Sequence, residues 1–241
     1  MPEGRRFREM EETDIMVHAF PRGMEIPAMF VRSRESGIQA GLPVFRGRDP
    51  KRPPEWRPLG EALRDSLSRE ERGTFVAVDG DSLAMKEFSP EMMKSLRVRG
   101  ADIWLLTHVE DADDVFDVFN LGVDTLLAPF HTIRSVRDLR DIHDVSDSVV
   151  PVVFCMNGSA LSASHPMPVM EALDELVDAG FYRNCVFDTD GRVSGYDWDS
   201  VRRSQPSAIP FTESEVSGFQ NVIRPHRPRR PIPRPSSTLR Q

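Results

Sequence analysis

The stretch GADIWLLTHVEDADDVFDVFNLGVDTLLAPFHT, residues 100–132, decides the fold. Residues 101–106, ADIWLL, are a short apolar run with β-branched and aromatic content, the composition of a strand buried on both faces. Thr107 and Glu110 have the spacing of a capping box, an oxygen for orphan amides and a carboxylate three residues on. Ala112, Val115, Phe116 and Phe119 then recur at i, i+3, i+4 and i+7, an apolar helical stripe that Asp113, Asp114 and Asp117 mostly avoid. Gly122 is placed to stop the helix, and residues 123–130 form a second apolar run. Strand, helix and strand with so little slack make a βαβ unit, and such a unit implies a parallel sheet.

The same joint recurs along the chain. Gly100, Gly122 and Gly180 each end a helical pattern and lead, within a few residues, into a buried strand. Strands and helices alternating through this joint give either a doubly wound sheet or a (β/α)8 barrel. No GxGxxG or GxxxxGK[ST] occurs, which removes the strongest sign of a dinucleotide or P-loop fold.

In chain order, strands are expected at residues 14–20 and 28–32, followed by a long irregular loop at 33–58, rich in Pro, Arg and Gly. A helix at 59–72 carries Leu59, Leu63 and Leu67 on one side. The strand TFVAVD at 74–79 ends in Asp79, with Asp81 just beyond. Ser89 and Pro90 open a helix as N-cap and first residue, and Gly100 closes it. Beyond the central unit, a helix spans 133–142 with Ser135 as a cap, and a strand spans 149–155. A helix at 168–179 buries Val169, Leu173, Leu176 and Val177 and ends at Gly180. A strand at 185–188 runs into the loop TDGRVSGYD. One more strand at 207–211 and a helix at 213–222 complete the pattern.

Charge divides the chain into two parts. Residues 221–241 hold six arginines, five prolines and no acidic residue; removing those charges from the net −7 leaves about −13 for the rest. An acidic body excludes general nucleic-acid binding by the folded part. The basic segment cannot build a core and is expected to be a disordered tail, giving a single domain over 1–220. Cys155 and Cys185 sit in apolar runs and are expected as buried free thiols of a cytoplasmic protein. No apolar run reaches membrane-spanning length.

Several segments resemble the histidine-biosynthesis isomerase/cyclase barrels, HisA and HisF, and especially the archaeal HisA-like relatives. CVFDTDGRVSGYD at 185–197 resembles their sixth-strand signature, and VDGDSL at 78–83 resembles the second. Residues 100–132 are similar to the third strand, helix and fourth strand, and Val17-His18-Ala19 to a V-H-A after the first. The resemblance implies a TIM-type (β/α)8 barrel, irregular at its ends, and an isomerase or lyase acting on a small phosphorylated sugar or ribotide. The family's phosphate-binding glycines fall here on Thr107-His108 and Pro129-Phe130, and proline has no amide to donate. Its first-strand aspartate falls near Met10 or Glu11, and its fifth-strand aspartate on Met156 or Asn157. These departures raise a second expectation, a barrel kept as a binding or regulatory subunit.

Candidate acid–base residues are the strand-end carboxylates Asp79, Asp81, Asp188 and Asp190, since active sites of such barrels lie at the strands' C-terminal ends. Candidate substrate-binding residues are Thr107, His108, His131, Asn157, Gly158, Ser159 and Gly195. Asp79 and Asp81 equally suit loop capping, whereas Asp190-Gly191 and Asn157-Gly158-Ser159 read first as turns, and a lone histidine first as a solvated loop residue. The four carboxylates would suit a magnesium ion if their strands met. The histidines and cysteines lack zinc-ligand spacing, so no metal or cofactor is assigned. The partners expected are a small phosphorylated metabolite and a protein partner or second copy, with no membrane.

Overall fold

The computed structural model describes residues 24–41, 56–66, 73–88, 90–97, 101–190 and 198–225. Eight parallel strands follow one another in chain order around a closed ring. They are β1 (Met24–Arg34), β2 (Thr74–Asp79), β3 (Asp102–Leu106), β4 (Thr125–Pro129), β5 (Val149–Met156), β6 (Cys185–Asp188), β7 (Ile209–Phe211) and β8 (Asn221–Pro225). The ring closes where Ile223 of β8 pairs beside Ile26 of β1. Between strands lie α1 (Leu59–Ser66), α2 (Gly80–Met85), α3 (Pro90–Leu96), α4 (Ala112–Asn120), α5 (Val136–Val145), α6 (Val169–Asp178) and α7 (Trp198–Ser204). The fold is an α/β barrel of the TIM type.

Strand alternation divides the apolar residues into two cores. Ile26, Ala28, Val76, Val78, Trp104, Leu106, Leu127, Val150, Val152, Phe187, Phe211 and Ile223 fill the barrel interior. Phe75, Ala77, Ile103, Leu105, Leu126 and Val186 face outward and join Val115, Val118, Leu139, Leu173 and Leu176 of the helices. Both faces of the strands are therefore buried, which is why they read as continuous apolar runs.

The deciding stretch folds as β3, α4 and β4, with Gly122 at φ +83° closing the helix as expected. Its cap differs. Asp111 is the N-cap, accepting from the amides of Asp113 and Asp114, while the Thr107 hydroxyl donates to Ser82 Oγ at 2.7 Å. A hydroxyl already bound to Ser82, twenty-five residues away in sequence, is not at the helix end. The buried stripe is also rotated from the one expected: Val115 and Val118 are buried, whereas Phe116 is 53% exposed. Asp111→Ala is expected to cost about 1 kcal/mol in urea unfolding, and Thr107→Ala is expected to leave α4 capped. Equal helix loss in both variants would reject this assignment.

Other segments depart from the sequence reading for similar reasons. Within the expected loop 33–58, Gly37–Gly41 forms a strand that pairs antiparallel with the protruding end of β1. A short helix, α2, follows β2 directly where none was expected, and α5 begins at Val136 rather than Ile133, with Ser135 as its cap. Residues 213–220 are not helical. The periodic Val216 and Phe219 instead pack against the outer core, Phe219 edge-on to Trp198 at 5.8 Å. The missing last strand is Asn221–Pro225, so the barrel extends into the first residues of the presumed tail. Arg224 anchors this helix-free connection: its guanidinium donates to the carbonyl oxygens of Thr212 and Ser214 and meets Glu25 of β1 at 3.4 Å. The expected strand 14–20, the V-H-A at 17–19, Leu67, Ser89, Gly100, Gly195 and the tail beyond Pro225 lie outside the described residues.

No helix among the described residues is long and apolar enough to cross a membrane. Cys155 and Cys185 are both buried free thiols.

Candidate active site

The C-terminal strand ends carry most of the residues singled out from the sequence, and strand parity decides where each points. Asp79, the last residue of β2, shares the outward side of Phe75 and Ala77 and is fully buried. One oxygen accepts from the Ser82 amide at 3.0 Å and caps α2, while Oδ2 has no hydrogen-bond partner. Burial pushes the Asp79 carboxyl up to about 6, against the opposing pull of the Ser82 amide. Asp81 Oδ2 accepts from the Ser33 amide at 2.5 Å and ties the β1 hairpin to α2.

The pair on the far side is similarly engaged. Asp188, at the end of β6, accepts from the Thr212 hydroxyl at 3.1 Å, and both side chains are buried. Asp190 accepts from the Asn157 amide at 2.6 Å. Asn157 and Gly158, at φ +52° and +79°, form a two-residue hairpin turn that pairs Met156 with Ser159. That conformation suits Asn-Gly. The Asn157 amide is therefore already donated. With eight strands in ring order, β2 and β6 stand on opposite sides of the barrel, so the two carboxylate pairs do not meet in one site. Among the described residues no group of three or more His, Cys, Asp or Glu is placed to hold a metal ion.

Asp79 offers a direct test of a buried, raised carboxyl. Its ordinary value is 3.8, so the stability contributed by the protonated form is present below that and lost as pH rises through about 6. At pH 7.5 the ionised group is a burden. Asp79→Asn keeps a capping oxygen and removes the charge, and is expected to stabilise the protein by roughly 1–3 kcal/mol at pH 7.5. The gain should vanish near pH 4. A variant no more stable than the parent at pH 7.5 would show that the charge is already compensated.

The residues that gather into a chemical array lie on β3 and β4. After β3 the chain turns so that the His108 amide donates to Ser82 Oγ at 3.0 Å, and only 5% of the residue is exposed. His108 Nε2 meets Glu110 Oε1 at 3.0 Å. The other Glu110 oxygen receives Nε of Arg134 at 2.7 Å, and Nη2 as well. The Arg134 guanidinium, then His108, holds the Glu110 carboxyl below the usual carboxylate range. An ionised carboxylate can only accept, so Nε2 of His108 carries the hydrogen and Nδ1 keeps its lone pair when the ring is neutral. That Nδ1 is buried and has no partner.

His131 stands in the 3₁₀ turn Phe130–Thr132 that ends β4, edge-on to Phe154 with ring centroids 4.8 Å apart. Burial lowers its pKa, and the nearby charges of His108 and Lys86 lower it further, so the ring is neutral at pH 7. Thr132 Oγ1 donates to Val109 O at 2.5 Å and locks the two histidine-bearing strand ends together. Phe154, Phe187 and Phe211 continue from His131, the last two stacked at 4.1 Å. Phe187 and Phe211 belong to the interior core, and Phe154 packs against it.

Beside the array is a cavity of about 580 Å³ lined by Lys86, Phe88, His108, Glu110, Asp111, Asp114, Asp117 and Arg134, among others. Of the candidate acid–base and substrate-binding residues, only His108 lines it. Glu110, Arg134, Lys86 and Ser82 were missed. Glu110 was absorbed into the capping-box reading, although His-x-Glu is a legible spacing for a carboxylate that holds an imidazole. Arg134 leaves no local signal because its partner lies twenty-four residues upstream. Comparison with protein-family models and with curated proteins finds no match to this chain.

Proposed function

We propose that this chain is a divergent HisA-like barrel enzyme, an isomerase or lyase of a small phosphorylated sugar or ribotide, whose acid–base chemistry rests on His108. The observation that carries the reading is the chain of contacts from His108 Nε2 through Glu110 to Arg134 at the C-terminal strand ends. Active sites of (β/α)8 barrels lie at that end. A histidine oriented by a carboxylate is a recurrent general base. Nδ1 of His108 takes a proton from a carbon next to a carbonyl, the imidazolium is stabilised by Glu110, and the proton returns to the neighbouring carbon. Neutral His131 supplies a hydrogen bond or a second proton relay, and Lys86 and Arg134 supply positive charge for the phosphate. No resident cofactor or metal enters this scheme. Two buried free thiols agree with a reducing cytoplasm.

The test is a panel of phosphosugars and ribotides against the purified protein. A ligand at a hundred times its Kd adds about 2.7 kcal/mol to stability, several degrees in melting temperature. A panel without any shift or turnover would reject the enzyme reading.

A second reading, a binding or regulatory subunit without catalysis, is favoured by one specific observation. All four strand-end carboxylates already serve backbone amides or a hydroxyl. A stoichiometric partner from native extract, with no turnover by the chain alone, would support it; turnover by the isolated chain would reject it.

A further inference from the structure

We propose that Ser82 is the positioning residue for His108: its hydroxyl holds the His108 backbone and thereby sets the imidazole against Glu110. This role deepens the proposed chemistry and rests on His108 being the general base. Two hydrogen bonds reach Ser82 Oγ from the end of β3, one from the Thr107 hydroxyl at 2.7 Å and one from the His108 amide at 3.0 Å. A hydroxyl oxygen has two lone pairs, and both are taken. Ser82 is also only 1% exposed. It can therefore act on a substrate only through His108, not as a nucleophile or base of its own.

The segment from Thr107 to Glu110 is held at its two ends by different elements. At the Glu110 end, Asp114 of α4 accepts from the Glu110 amide at 2.8 Å. Arg134 Nε donates to the Glu110 carboxylate at 2.7 Å, and Thr132 Oγ1 donates to Val109 O. These anchors come from α4 and from the segment that follows β4. At the His108 end, the side-chain anchor among the described residues is Ser82, and it comes from α2. The contact of His108 Nε2 with Glu110 at 3.0 Å thus spans a joint between two separately anchored pieces. Arg134 keeps Glu110 in place whether or not His108 follows, so alignment of the ring depends on α2. That helix is itself pinned. Asp79 Oδ1 takes the Ser82 amide at 3.0 Å, and Asp81 Oδ2 takes the Ser33 amide at 2.5 Å. Two carboxylates that the sequence offers as acid–base residues therefore act one step behind the ring, by fixing the turn that carries Ser82.

The decisive measurement needs no substrate. In the full chain labelled with 15N-histidine, at high pH, neutral His108 should show one tautomer with the proton on Nε2, its signals assigned by their loss in His108→Gln. Ser82→Ala should free the ring from Glu110 and draw the two ring-nitrogen signals together, the mark of exchanging tautomers. Thr107→Val removes the other bond to Ser82 but leaves the His108 amide held, and should keep the single tautomer. A Ser82→Ala spectrum like the parent's would overturn the proposal. Equal loss in Thr107→Val would overturn it too, since any buried hydroxyl would then serve. If Ser82→Ala does not fold, Ser82→Cys, close in size but a weak acceptor, carries the same expectation. With a phosphosugar that the chain turns over, Ser82→Ala should lower kcat about 10- to 100-fold and change KM less than about threefold, the signature of a misplaced base. A raised KM at the parent's kcat would overturn the positioning role. A panel without turnover rejects the enzyme reading alone, and the tautomer spectrum still decides on Ser82.

Discussion

Replacing His108 with glutamine is expected to lower turnover of a phosphosugar substrate by about 10²–10⁴, the range that one positioned general base contributes. Glutamine keeps a hydrogen-bonding head near Glu110 but cannot hold and return a proton. Glu110→Gln removes the anion that orients the ring, and its effect should be smaller, about 10- to 100-fold, with substrate affinity little changed. The ordering matters because His108 is enclosed. A variant that merely loosened the fold would lose affinity and thermal stability together with rate. Turnover in His108→Gln within threefold of the parent would remove His108 from the chemistry and return attention to the subunit reading.

Trp104→Ala should be the most destabilising single change in the interior, at about 3–5 kcal/mol. Trp104 is 2% exposed and stands in the middle of β3, among the side chains of the inner core. Deleting an indole leaves a cavity that eight hydrogen-bonded strands cannot collapse around, so the transfer loss and the cavity cost add. Native stability is of order 5–15 kcal/mol, and the variant should therefore unfold at a far lower urea concentration with an unchanged slope. Phe116→Ala, on the half-exposed side of α4, serves as the control. Its cost should stay within roughly 0.5 kcal/mol. If Phe116→Ala proved as damaging as Trp104→Ala, the helical stripe predicted from the sequence would be right and the observed packing of α4 wrong.

The two experiments separate scaffold from site. The barrel's stability resides in two apolar layers that the strand-end polar groups barely touch, so His108 and Glu110 can be changed with the layers intact. Asp79 is the exception, since it both caps α2 and carries a raised carboxyl in the outer layer. Its asparagine variant gains stability at neutral pH at a position where the charge serves no structural need.

What the sequence by itself determined was the local architecture. The strand at 74–79 and the strand at 185–188 were legible to the residue because strands buried on both faces leave uninterrupted apolar runs. Gly122 and Gly180 were legible as helix stops because their left-handed φ values, +83° and +102°, are strained for other residues. Ser135 was legible as a cap because capping is settled within three residues. The tertiary structure alone decided the rest, because the partners are remote. Closure by Asn221–Pro225 depends on pairing with β1, about two hundred residues away, and a five-residue strand beside an arginine- and proline-rich segment carries no periodicity of its own. Thr107 and Glu110 look like a capping box only until Ser82 claims the hydroxyl and Arg134 the carboxylate. The two carboxylate pairs look like one site until the ring sets β2 opposite β6. Residues 100–132 therefore announced a βαβ unit through local chemistry, while closure into a barrel and the contacts of His108 were decided by groups the chain brings from elsewhere.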